Sequence, residues 1–176
     1  MAHAGETIEN PRTGQRMVFL KTGAETGGEL LRIECFNPAT GVDEPEHCHP
    51  YQESRAEVIS GTLRFRVDGE IQEVGAGDSH MIPPGVHHSF GNYGDEEAHW
   101  IAEFRPALRT DAFFESLFDL AARGKLNEHG MPDLLQLAVS VPAFAKEIRV
   151  TRPPWPVQRA LFALLGPIAR VRGRHA

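Results

Sequence analysis

Apolar and polar side chains alternate strictly along Leu63-Arg64-Phe65-Arg66-Val67, which predicts a β-strand with one apolar and one basic face. Short runs of a similar kind recur at QRMVFLK (15–21), ELLRIECF (29–36), AEVISG (56–61), EIQEV (70–74), SHMI (79–82) and AHWIAEF (98–104). Gly, Pro, Asn or Asp separates most of them, as turns require. Between Val67 and Glu70 stands Asp68-Gly69, a pair that tolerates the positive φ angles of a two-residue hairpin. From Gln15 to about Pro106 the chain is therefore expected to form many short strands, closing into a sandwich or barrel. Val58, Phe65, Val67 and Ile82 are its expected core, while Arg64 and Arg66 face outward.

After Pro106 the period changes. Phe114, Leu117, Phe118 and Ala121 recur at helical spacing, with Thr110 or Asp111 as a cap and Gly124 as a stop. Pro132-Asp133 is expected to open a second helix through Ala138, and Pro142 a third through Ile148. Residues 152–156, Arg-Pro-Pro-Trp-Pro, predict a stiff linker, followed by a helix over 157–173 interrupted near Pro167. The division expected is a barrel with N-terminal strands over 1–106 and a helical extension over 107–176, packed on the barrel or on a partner subunit.

Charge adds a contrast between these parts. Residues 1–105 carry 8 basic and 18 acidic side chains and residues 106–176 carry 10 and 6, so −10 stands against +4 in a net −6. The basic residues are dispersed through helical patterns and form no aromatic-interleaved stripe, which argues against nucleic-acid binding. No apolar run has the length of a secretory signal core or a membrane span, and Cys35 and Cys48 form no disulfide framework. A soluble, cytoplasmic protein without a membrane partner is the expectation.

The candidate chemistry lies in HCHPYQES (47–54). On a strand, His47 and His49 point to the same face and could supply two nitrogen ligands to a metal; solvated strands also carry such pairs. A second element follows at Gly77-Asp78-Ser79-His80-Met81-Ile82-Pro83-Pro84-Gly85-Val86-His87-His88-Ser89-Phe90-Gly91-Asn92, a strand, a Pro-Gly reversal and a return strand with a further histidine. Together, Gly41, His47, His49, Glu53 and Gly61, then Gly77, Pro83, Gly85, His88 and Asn92, resemble the two motifs of the cupin superfamily, as in its small single-domain bacterial members. The resemblance covers roughly 15–105. It implies a mainly β fold, a double-stranded β-helix of jelly-roll type, followed here by the helical extension. It also implies one divalent ion, Fe, Mn, Ni or Zn, held by His47, His49, Glu53 and His88.

The spacing departs from the family at the carboxylate. Glu53 follows His49 after three residues as it should, but seven residues rather than six separate it from Gly61, and six places Ser54 there. Three assignments stay open: Glu53 re-aimed by a bulge, three histidines with a serine at the carboxylate position, and Glu57. His87 should point away from His88. Cys48 faces opposite to its neighbours as a small buried hydrophobe. Tyr51, His80 and Phe90 are candidates to line a substrate cavity, and Gln52 stands with Tyr51 at its mouth, as a substrate contact or a solvated loop residue.

The resemblance implies a metal-dependent oxidoreductase, dioxygenase-like, acting on a small organic molecule, with Glu53 as a candidate proton acceptor. An isomerase or epimerase, or a non-catalytic metal- or ligand-binding barrel, is the alternative. The family's habit of pairing through outer strands implies a homodimer.

Overall fold

The computed structural model describes residues 2–127 and 130–175, and the alternating segments form strands within it. They are β1 (Thr7–Glu9), β2 (Arg16–Lys21), β3 (Leu31–Asn37), β4 (His47–Cys48), β5 (Glu53–Ser60), β6 (Thr62–Val67), β7 (Glu70–Gly75), β8 (Ser79–Ile82), β9 (His88–Gly91) and β10 (Ala98–Arg105). Then come α1 (Thr110–Ala122), α2 (Leu134–Ala143), β11 (Arg149–Val150) and α3 (Trp155–Val171). The strands assemble into two antiparallel sheets, β1-β2-β3-β10-β5-β8 and β11-β4-β9-β6-β7. The chain passes back and forth between the sheets and so winds a mainly β, double-stranded β-helix, with a helical extension behind it.

Local sequence accounts for the strand registers. Asp68 and Gly69 take φ of 48° and 89°, and β6 and β7 pair without a slip from Thr62↔Gly75 to Val67↔Glu70. Leu63 and Phe65 are buried, whereas Arg64 and Arg66 turn outward to Asp43, each 3.8 Å from a carboxylate oxygen. The opposite inner face carries Phe19, Leu31, Ile33, Ala56, Val58, Trp100 and Phe104, all buried in one cluster with Phe65 and Phe90. Each large side chain of this kind contributes about 2 kcal/mol on burial.

The tail is attached to the barrel through α1 and β11, and α3 is tied to β11 in turn. Phe118 of α1 is buried in the barrel core, with Phe114 and Leu117 packed against it. β11 pairs with β4 through Arg149↔Cys48 and Val150↔His47. Gln158 of α3 donates from Nε2 to the carbonyls of Val150 and Pro153. Helices α2 and α3 share a small core of Ala138, Val139, Phe162 and Ala169.

Two expectations about proline are corrected. Pro142 opens no third helix: it lies in the last turn of α2, and the chain turns through Phe144–Glu147 into β11. Pro167 does not break α3, which runs from Trp155 through Val171 and absorbs part of the expected linker. In both cases α2–α3 packing outweighs the one backbone hydrogen bond a proline removes.

Candidate metal centre

His47 and His88 come to lie opposite one another on adjacent strands, and His49 follows two residues along, on the same side. The relative exposures of His47, His88 and His49 are 6%, 3% and 7%, so all three residues are buried. Ring centroids are 4.4 Å apart for His47–His88, 5.1 Å for His47–His49 and 5.3 Å for His49–His88. One ring nitrogen from each lies within 4.8 Å of the other two.

Hydrogen bonds decide which nitrogen is free. His47 Nδ1 lies 2.7 Å from the Pro45 carbonyl, His88 Nδ1 3.0 Å from that of Val86, and His49 Nδ1 2.8 Å from that of Glu147. A carbonyl oxygen can only accept, so each Nδ1 carries the proton and donates it. Each Nε2 is left with its lone pair, the state required of a metal-binding imidazole. Burial reinforces this. It pushes His47 well below its ordinary value of 6.5, with the neighbouring His88 and His49 adding to the shift. It takes His49 down to about 4 and lowers His88, in both cases against the effect of the backbone hydrogen bond. All three rings are neutral at pH 7.

Turn chemistry holds this constellation. Gly85, at φ 80°, ends the Pro-Gly reversal and donates its N–H to the carbonyl of His49 at 2.8 Å, tying the second motif to the first. Gln52 is fully buried: its Nε2 donates to the carbonyls of Pro106 and Ala107, and its Oε1 accepts from Thr110 Oγ1. The loop after His49 is thereby bolted to the start of α1. Gln52, expected with Tyr51 at the mouth of the site, is instead a buried tie between loops, and the three carbonyls did not figure among the residues predicted from sequence. The sequence drew notice to Gln52 but not to its burial, whereas Glu147 is 98 residues from the ring it serves and leaves no local signal.

The expected carboxylate is not part of the cluster. Among the described residues, the group of candidate ligands is His47, His49 and His88, without Glu53 or Glu57. Strand parity is the reason. Ser54, between Phe104 and Ile82, shares its side of β5 with the buried Ala56 and Val58, while Glu53, opposite Arg105, lies on the other side with Arg55 and Glu57. The β5–β10 pairing slips between Val58 and Ser60, but from Val58 to Glu53 the register is unbroken, so the slip leaves Glu53 on the side opposite Ser54, Ala56 and Val58. Ser54 therefore stands where the family spacing counts the carboxylate.

The other candidates divide. Phe90 shares its face of β9 with His88 and is buried, stacked on Phe65 at 5.5 Å and edge-on to Trp100 at 5.3 Å. His80 is on the buried side of β8 with Ile82, its ring 5.1 Å from Phe65, and its Nε2 is buried without a hydrogen-bond partner. Tyr51 is 56% exposed, with the Arg149 guanidinium over its ring. Cys48 is buried and unpaired.

Two antiparallel sheets with three neutral imidazoles brought together between their strands define a β-helix barrel able to hold a metal ion. Residues 33–104 match the family model described as "Cupin domain", a match that covers most of the barrel strands and none of the helical tail. CurC of Streptomyces cyaneus, named a polyketide synthase, is 41% identical over 84 residues, 48% of this chain and 52% of that protein. Protein SchB of Streptomyces halstedii is 34% identical over 91 residues, 52% of this chain and 64% of that protein. The chain thus spans about half to two thirds of the length of these relatives. A crystal structure from Thermotoga maritima, described as a predicted oxalate decarboxylase, shares the fold with a TM-score of 0.51. Identity to it is 21%, over 58% of this chain and 92% of that one.

Proposed function

We propose that the barrel is a mononuclear metalloenzyme of dioxygenase-like oxidoreductase type, acting on a small, oxygen-bearing aromatic molecule. The observation that carries this reading is the set of three buried imidazoles whose Nδ1 protons are all committed to carbonyls. Such a set fits Fe, Mn, Ni or Zn and, with three protein ligands, leaves coordination positions for other groups. The substrate class rests on the aromatic walls and on the polyketide naming of CurC.

His47, His49 and His88 would hold the ion, which supplies Lewis-acid and electron-transfer chemistry when bound. Phe104, edge-on to His49 at 5.1 Å, and the mutually packed Phe65, Phe90 and Trp100 give the centre apolar surroundings that exclude water and suit an aromatic ligand. His80 offers its unpartnered Nε2 to a substrate hydroxyl or carbonyl. Glu53, on the other side of its strand, takes no part in proton transfer. Ser54 at the carboxylate position favours a second reading, a non-catalytic barrel that holds metal or ligand. Self-association belongs to the same proposal: α3 leaves Val157, Leu164, Ile168 and Val171 exposed along one side, a surface suited to a second copy.

Oxygen uptake with a panel of polyhydroxylated aromatic compounds, on iron- and manganese-loaded protein, tests the reading. Uptake matching substrate loss, abolished in His88→Ala, is the expected result. Conversion without oxygen uptake would make the protein an isomerase, and binding without conversion would favour the second reading.

A further inference from the structure

The geometry points to Glu147 as a positioning residue of the metal centre, so that the tail behind the barrel completes the site; this rests on the metal-binding reading above. His47 and His88 each donate to a carbonyl two residues upstream, Pro45 and Val86, and are oriented by their own strands. His49 has no such local partner in the structure; its Nδ1–H is taken by the carbonyl of Glu147, across the chain.

That carbonyl is itself held from several directions. Glu147 is 3% exposed; its N–H donates to the Phe144 carbonyl at 3.0 Å, and its Oε1 accepts the backbone N–H of Arg109 at 3.2 Å. Two residues on, β11 pairs with β4, and the Thr151 N–H donates to the Glu46 carbonyl. The 106–110 loop that receives Glu147 is the same loop that receives Gln52. His49 is thus clamped from both sides by segments outside the barrel motifs. The second oxygen of Glu147, Oε2, is buried with no hydrogen-bond partner. A buried carboxylate with one unpaired oxygen is a stability cost, and a neutral side chain would fill the space more cheaply. The acceptor at Oε1 is what the residue contributes: it holds the loop, the loop holds the carbonyl, and the carbonyl fixes the tautomer and angle of His49.

Zinc is the probe, added to the metal-free full chain and followed by chelator competition. Imidazole nitrogen NMR of the metal-free protein reports the tautomers. The wild type is expected to bind one Zn(II), with His47, His49 and His88 all in the Nδ1–H form. Glu147→Ala should bind roughly tenfold more weakly, the usual effect of removing an outer partner of a ligand, and its NMR should show His49 alone losing the pure Nδ1–H form. Glu147→Gln keeps an acceptor oxygen and should restore both readouts to within about twofold of wild type. Glu147→Ala with unchanged affinity and unchanged His49 tautomer would overturn the inference while leaving the metal site intact. Wild-type His49 found as the Nε2–H form would overturn it whether or not the variant folds. Undiminished zinc binding by His88→Ala would instead overturn the metal-site reading, and the inference with it.

Discussion

A single residue of spacing separates Glu53 from Ser54, and on a strand that residue decides which side of the sheet a side chain occupies. The motif count already held both answers, because one flank of the motif fits Glu53 and the other fits Ser54; the pairing of Ser54 with Phe104 and Ile82 chooses between them. The histidines were legible because period-two alternation puts His47 and His49 on one face wherever their strand lies. Their carbonyl partners were not, since Glu147 reaches His49 only through the folded tail. His80 carries a prediction at this scale. Its buried, unpartnered nitrogen costs about 1 kcal/mol, so His80→Leu should stabilise the metal-free chain by that amount in urea unfolding and leave zinc affinity within about twofold. Destabilisation would mean that the nitrogen has a structural partner after all.

Glycine spacing and hairpin chemistry made the strands readable, and the same features make them breakable. Gly61 joins β5 to β6 at φ 75°, and a Cβ there would stand 2.9 Å from Ala98 Cα and 3.0 Å from the Glu97 carbonyl oxygen. Gly61→Ala should therefore cost roughly 2 kcal/mol in chemical denaturation; a change below about 0.5 kcal/mol would contradict the tight approach. The helices were legible where apolar periodicity was strong, as at Phe114, Leu117 and Phe118. They were misread at Pro142 and Pro167, where local preference argued for a boundary and packing carried the helix past it. Asp133 caps α2 by accepting the Gln136 N–H at 2.9 Å, and Asp133→Ala should cost about 1 kcal/mol. The two-residue strand β11 carries no periodic signal at all, yet it covers the edge of the strand that bears His47.

Across the whole molecule, buried groups titrate against one another. His47, His49 and His88 have folded-state values below 6.5, so the unfolded chain takes up protons before the folded one as pH falls, and stability drops from pH 6.5 towards 4. Glu44 has the opposite sign: burial raises it from 4.5 to about 7, against its hydrogen bond from Gln15, so its contribution is full below 4.5 and is lost as pH rises to 7. Three imidazoles outweigh one carboxyl. Metal-free protein should unfold at lower urea at pH 5 than at pH 7, and equal midpoints would contradict the neutral, buried state of the rings. Glu44→Gln should stabilise the chain by about 1–2 kcal/mol at pH 8, the half-buried position reducing the full effect of the shift. Among the described residues no helix is long and apolar enough to cross a membrane. The proposed function rests on a three-histidine metal centre without a carboxylate ligand. Its most direct test is elemental analysis of protein purified without chelator, as wild type, His88→Ala and Glu53→Ala. Near-stoichiometric transition metal is expected in the wild type and in Glu53→Ala, with its loss in His88→Ala. Metal retained by His88→Ala, lost in Glu53→Ala, or absent from the wild type even after reconstitution would contradict it.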